Sequence, residues 1–339
     1  MDTTALNRRS LLGVAGGLAG LALGSRIGCG WAQEELSMAL DWYPNANHAG
    51  IFLANERDYF ESAGLAIDPY TPSDPTTVLQ TVGAGRDDFG ISYQTDVLLA
   101  RAQEVPVVAV AALVQHPLVS VMTLKESEVS APQDLVGMTV GYPGIPSQVA
   151  FLETMLETEG ASVDDVELVN IGFNLLPALI SGQVDAALGA YWTHETILAE
   201  REGFPVDYMQ VEDWGVPDYY ELVIVTSEQL IADEPDTVSS FLGVVQQGYL
   251  DTISSPIAAL NALADAYPEL DRTVEEEGID LLTPLWISEA PYFGFQDAQR
   301  WQEYGEWMKE RELIPADLLV EDAFTTDLQP APIGTPTSP

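Results

Sequence analysis

The chain has 339 residues, 47% of them hydrophobic, with 53 acidic against 12 basic side chains and a net charge of −41. That length and composition exclude a disordered or fibrous protein and suit one large domain or two lobes of ordinary size. The charge disfavours binding to nucleic acid or to an anionic membrane. The acidic residues are scattered and Lys125 and Lys309 are the only lysines, so the charge reads as a solvated coat for a protein working at high, halophilic salt, where repulsion is screened within a few ångströms.

Arg8-Arg9-Ser10-Leu11-Leu12 and the Gly/Ala/Leu/Val stretch from Gly13 to Gly24 read as a twin-arginine (Tat) signal segment spanning residues 1–32. Six glycines between Gly13 and Gly28 weaken any helix there, and no later apolar run is long enough to span a bilayer. Cys29 is the single cysteine, so no intrachain disulfide forms. Two processing routes stand: lipidation at Cys29, or cleavage after Ala32. Both put the working protein on the periplasmic side or the outer face of the cytoplasmic membrane.

The rest alternates short apolar strands with amphipathic helices. Strands are expected at 36–40, 65–70, 88–91 and 105–114, with helices at 50–62, 76–83 and 96–103. Gly64 follows the first helix in the usual closing position. A second unit repeats the alternation with strands at 139–141, 166–169 and 185–189 and helices at 147–159 and 175–181. Another strand is expected at 222–226, then a mostly helical region ending in the amphipathic segment Trp301–Lys309, whose Trp301 and Trp307 read as packing residues. The pattern predicts an α/β fold built from two Rossmann-like lobes with a cleft between them. Lobe 1 is assigned residues 33–124 plus 224–328 and lobe 2 residues 125–223. The chain should cross between them near Leu124 and Val223. The tail 329–339, with four prolines, is expected to be disordered.

No phosphate loop, dinucleotide fingerprint or nucleophile elbow is present. His48, His116 and His194 are far apart in sequence, and neither a metal site nor a cofactor is expected. The loops after the strands carry the chemistry. Asp41-Trp42-Tyr43-Pro44-Asn45-Ala46-Asn47-His48 follows the first strand, Tyr93-Gln94-Thr95-Asp96 another, and Tyr191-Trp192-Thr193-His194-Glu195 a third. Aromatic faces stack a flat heterocycle, while amides and carboxylates read its ring nitrogens and amino groups.

These loops resemble motifs of the thiamine-precursor-type substrate-binding proteins. The matching segments are Leu40–Gly50, Gly141-Tyr142-Pro143-Gly144-Ile145-Pro146-Ser147, Ala190–Glu195 and Pro217-Asp218-Tyr219-Tyr220-Glu221-Leu222-Val223. The similarity runs from about Leu36 to about Leu319. It implies a type II periplasmic-binding-protein fold, a monomer that hands its ligand to an ABC importer permease, and a formylaminopyrimidine- or hydroxymethylpyrimidine-like ligand. By motif, Trp42 and Tyr191 or Trp192 would stack the ring and Glu195 would accept from the amino group. Asn47, His48, Tyr93, Asp96, Tyr142 and Tyr220 are further ligand-binding candidates.

Close relatives take riboflavin, and a receptor for that or another flat solute is the alternative. The same superfamily holds hydroxymethylpyrimidine phosphate synthases, which need a lysine for pyridoxal phosphate and carry a cysteine-rich loop. Here Arg86 stands in the matching glycine-rich turn Gly83–Asp87, and arginine forms no imine. The expectation is therefore a receptor and not an enzyme.

Overall fold

The computed structural model describes residues 34–330. The signal segment, Cys29 and residues 331–339 lie outside the described residues. In chain order the strands are β1 (Glu34–Ala39), β2 (Leu65–Tyr70), β3 (Phe89–Ser92), β4 (Val107–Val114), β5 (Val119–Leu124), β6 (Thr139–Tyr142), β7 (Glu167–Asn170), β8 (Ala186–Tyr191), β9 (Val206–Gln210) and β10 (Leu222–Ser227). They form two five-stranded sheets, β2-β1-β3-β10-β4 and β7-β6-β8-β5-β9.

Both sheets follow one plan. β1 is parallel to β2 and β3, and β10 runs antiparallel between β3 and β4. Likewise β6 is parallel to β7 and β8, and β5 runs antiparallel between β8 and β9. The reversed strand of each sheet enters by a crossover from the other sheet, through 115–118 into β5 and through 211–221 into β10. The crossings expected near Leu124 and Val223 therefore fall earlier. Val119–Leu124 pairs within the second sheet, and Leu222 and Val223 pair with β4 in the first. A strand's partners are not written in its own apolar pattern, so composition could not assign β5 to a sheet.

β4, Val-Val-Ala-Val-Ala-Ala-Leu-Val, is buried along its whole length although it ends its sheet. The C-terminal segment covers its free edge. The Ala112 N–H donates to Gly294 O at 3.1 Å and the Thr325 N–H to Ala109 O at 2.9 Å, which removes an edge open to pairing. Gln329 belongs to this cover: its amide donates to Gly294 O (2.7 Å) and Val110 O (3.3 Å) and accepts from the Tyr292 hydroxyl (2.8 Å). The expected disordered tail is thus docked at its first residue. Trp301 is buried and stacks on Phe324 with ring centroids 5.0 Å apart, as its place on the inner face of the helix Ala298–Glu310 demands.

Two helix contacts position the functional loops. The helices Ala49–Glu56 and Pro235–Ser254 touch backbone to backbone, since a Cβ on Gly248 would lie 2.2 Å from Gly50 O. The helix Arg272–Leu282 sits where the lobes meet. A Cβ on its Gly278 would lie 2.9 Å from Ala46 Cβ of the first lobe and 3.1 Å from Thr193 O of the second. Among the described residues no helix is long and apolar enough to cross a membrane.

Candidate functional site

A cavity lies between the sheets, lined by Asp41, Trp42, Tyr93, Ile145, Gln148, Gly189, Tyr191 and Glu195. These residues lie at or just past the carboxyl ends of β1, β3, β6 and β8, where open α/β sheets place ligands. The free space is about 10 Å³, room for a single water. A neighbouring cavity of about 90 Å³ shares Tyr93 and Ile145 and adds Asp96, Gln80 and Thr76.

The loop after β1 is held by its own polar residues. Asn45 caps the turn Ala46–His48 by accepting from the Asn47 N–H at 2.9 Å. His48 Nδ1 accepts from the Asn45 N–H at 3.1 Å. That leaves Nε2 as the protonated nitrogen, donating to Asp41 Oδ1 at 3.0 Å. The Tyr249 hydroxyl donates to Asn47 O, and the Ala46 N–H to the Glu275 carboxylate, both at 2.6 Å. Burial, opposed by nearby His194 and the Ala46 N–H, raises the Glu275 carboxyl above its ordinary range. Asn47 and His48 are therefore loop anchors, and neither lines the cavity. Asp41 and Trp42 are the residues this loop delivers to it.

Asp41 takes a second hydrogen bond from the Tyr93 hydroxyl at 3.3 Å. Burial, with Asp41 beside it, pushes the Tyr93 phenol well above its usual range, so it stays a neutral donor. Trp42 meets Phe173 of the other lobe edge-on, with centroids 4.5 Å apart, and Tyr43 packs on the same ring at 4.7 Å. Asp96 lines the neighbouring cavity and accepts from the Ser147 hydroxyl across the lobes at 2.7 Å. Burial raises its carboxyl to about 6 against that hydrogen bond.

From the second lobe, Glu195 opens the helix Glu195–Arg201 and accepts from the Tyr191 N–H at 2.9 Å. The Tyr191 hydroxyl donates to Glu221 Oε1 at 3.0 Å. Glu221 is fully buried and also accepts from the N–H groups of Leu118 (2.6 Å) and Val119 (3.3 Å) and from the Tyr219 hydroxyl (2.9 Å). Burial nevertheless pushes its carboxyl up to about 7. One carboxylate thus ties the two crossovers together beside the cleft. A second tie runs through His116, whose Nδ1 lies 2.9 Å from Asp218, itself 2.7 Å from Arg300.

Of the residues expected from sequence, Trp42, Tyr93, Tyr191 and Glu195 converge on the first cavity, and Asp96 lines its neighbour. Trp192 does not join them. Its indole N–H donates to Pro117 O at 3.3 Å, and its ring lines an outer groove with Tyr208 and Leu281. Adjacent residues at a strand end face opposite sides, so Tyr191 reaches the cleft and Trp192 cannot. Tyr220 lies elsewhere, with its hydroxyl on the Asp297 N–H at 2.8 Å and the Arg300 guanidinium 4.2 Å over its ring. Tyr142 lines neither cavity. Sequence reasoning placed the Asp41 carboxylate in a cleft-facing loop without singling it out as a site residue, and passed over Gln148, Phe173 and Glu221. Asp41 directly follows a strand, and Gln148 stands in the first turn of a helix after a glycine-rich loop, so both carried a positional signal. Phe173 carried none. Among the described residues no cluster of three or more His, Cys, Asp or Glu could hold a metal.

Known proteins resemble this chain in sequence and in fold. The family model described as NMT1/THI5 like matches residues 45–259. A formylaminopyrimidine-binding protein of Halalkalibacterium halodurans is 38% identical over 299 residues, covering 87% of this chain and 91% of that protein. A 4-amino-5-hydroxymethyl-2-methylpyrimidine phosphate synthase of Schizosaccharomyces pombe is 24% identical over 298 residues, 84% of each chain. Among solved structures, the alkanesulfonate-binding protein SsuA of Xanthomonas axonopodis pv. citri superposes with a TM-score of 0.69 at 17% identity, covering 87% of this chain and 98% of that one. That likeness shows the two-lobed periplasmic-binding-protein fold. The family match and the identity to the formylaminopyrimidine-binding protein together make this chain a member of the NMT1/THI5-like family.

Proposed function

We propose that the protein is the extracytoplasmic solute-binding component of an ABC importer and that it binds a thiamine-precursor pyrimidine of the formylaminopyrimidine or hydroxymethylpyrimidine kind. The observation that carries this is the pairing of Asp41 and Glu195, carboxylates from opposite lobes, with Trp42, Tyr93 and Tyr191 around one cleft. Carboxylates accept from amino groups and the rings give flat faces. No arginine or lysine lines either cavity, which disfavours a sulfonate or phosphate ligand. The ligand would seat on one lobe and the other would close over it, and the closed form would dock on the permease.

A binding role also fits the placement of the basic residues. Lys125 pairs with Asp207 at 3.7 Å and Lys309 with Glu306 at 3.0 Å, both away from the cleft. No amine is therefore at hand to hold a carbonyl cofactor as an imine. Arg86 is exposed in the turn after the helix Val78–Gly83 and lines neither cavity. In this reading the protein is a monomer without cofactor, exported by the twin-arginine route, with Cys29 lipidated or the chain cut after Ala32, and its acidic coat suits high salt.

A thermal-shift panel at high salt tests the reading, because a ligand bound only to the native state raises Tm. Aminopyrimidines are expected to raise Tm, and riboflavin and alkanesulfonates to leave it in place. A shift with either of the latter and none with any pyrimidine overturns the assignment.

A further inference from the structure

Gln148 is the third residue of the helix Pro146–Thr158 and lies against Gly189 of β8. Gly189 has φ +94°, and a Cβ built on it would fall 2.5 Å from Gln148 Oε1 and 2.8 Å from Nε2. The glutamine amide thus occupies the space that any other residue at 189 would fill. Gln148 is 4% exposed and lines the cleft cavity beside Asp41, Trp42 and Glu195. Its Oε1 is buried and has no hydrogen-bond partner among the described residues.

The carboxylates and tyrosine hydroxyls of the cavity each have at least one partner. Asp41 is held by His48 and Tyr93, Glu195 accepts from the Tyr191 N–H, and Tyr191 donates to Glu221. A buried amide oxygen left without a donor is costly, and proteins seldom keep one unless something else supplies the donor. We infer that Gln148 is a specificity-determining residue of the cleft, seated by Gly189, whose amide oxygen accepts from an exocyclic N–H of the ligand while its amino group donates to the adjacent ring nitrogen. This rests on the proposed reading of the cleft as a site for an amino-bearing heterocycle. An amide presents one acceptor and one donor side by side, which matches an amino group next to a ring nitrogen. Glu195 is left to accept the second N–H of the same amino group. The ligand class is thereby narrowed to heterocycles with an amidine-like edge.

The test is calorimetric titration of the mature chain at high salt with two probes: 4-amino-5-hydroxymethyl-2-methylpyrimidine and its analogue with hydrogen in place of the 4-amino group. The wild type is expected to bind the amino compound about tenfold or more tightly than the analogue. Gln148→Leu keeps the bulk and removes both polar atoms. It is expected to weaken the amino compound about tenfold, to change the analogue less than about threefold, and so to collapse the discrimination. Gly189→Ala is expected to lose discrimination in the same way, and the double variant to lose no more than Gln148→Leu alone. If the Gly189→Ala chain fails to fold, Gln148→Leu alone decides, and a thermal melt checks its folding. Should Gln148→Leu fail to fold as well, Gln148→Met is put to the same titration. Discrimination retained in the folded Gln148 variant, with the wild type binding the amino compound, overturns this inference alone. If the wild type binds neither probe, the titration is repeated with the formylaminopyrimidine and its analogue lacking the 4-amino group, and failure there too overturns the functional reading and this inference with it.

Discussion

Tyr191 and Glu221 join the cleft to the two crossovers: the Tyr191 hydroxyl donates to Glu221 Oε1 at 3.0 Å, and the same carboxylate takes the N–H groups of Leu118, at the end of the opposite crossover, and of Val119, which opens β5. A residue that lines the cleft is thus one hydrogen bond from both chain crossings. Tyr191→Phe keeps the ring and removes that bond. The expected loss is about 1–3 kcal/mol of stability, because a buried acceptor is left short of a donor, with weaker ligand binding beside it. Denaturant unfolding and calorimetry measure the two.

Glu221 also sets a pH dependence. Burial holds its carboxyl at about 7 in the folded chain, well above an unfolded glutamate. The folded state therefore keeps a proton that the unfolded state has released. That contribution is complete below about pH 4 and is lost as pH rises through about 7, an effect on the order of 3 kcal/mol. Glu221→Gln is expected to flatten the fall in Tm between about pH 4.5 and 7.5 at constant salt. Parallel Tm profiles for the variant and wild type would contradict it.

Asp96 reports on closure. Its carboxyl stands at about 6 while buried against Ser147 of the other lobe, and opening the cleft returns it towards an ordinary aspartate. The closed form binds more protons, so acidification from about pH 7 to about pH 5 favours closure and tightens ligand binding a few-fold. Asp96→Asn removes this component. Titrating one ligand into both proteins at both pH values separates it from titration of the ligand itself.

The proposed stacking and reading groups have direct tests. Trp42→Ala removes a ring that bridges to Phe173 across the cleft, and Glu195→Gln removes an ionic acceptor from the cavity. Each is expected to weaken pyrimidine binding about tenfold or more. Unchanged affinity in both, by calorimetry, would move the site elsewhere.

Gly248→Ala tests the frame behind the loop. Its methyl would be driven into Gly50 O, forcing apart the helices that seat residues 41–48. Overpacking of this kind costs about 1–3 kcal/mol, read as a lower denaturation midpoint.

Much of the fold is legible in the sequence. The apolar runs at β1, β4 and β8 announce themselves, and polar loops directly after strands point to Trp42, Tyr93, Tyr191 and Glu195. Sheet membership is not legible, since β5 resembles an extension of β4 until its partners β8 and β9 are seen. Roles inside the loops are hidden for a related reason. His48 and Asn47 have the chemistry of ligand residues, yet the backbone N–H groups of their own turn claim them first. Tyr191 and Trp192 are indistinguishable by composition, and strand alternation separates them only once the end of β8 is known.

Gly278 touches Ala46 on one side and Thr193 on the other, so three segments from the two lobes meet at one residue without a side chain. Any larger side chain there would act as a doorstop. It would hold the two lobes apart from a position outside the cavity and press on the loop that carries Asp41 and Trp42, so the clamp is set from behind its lining.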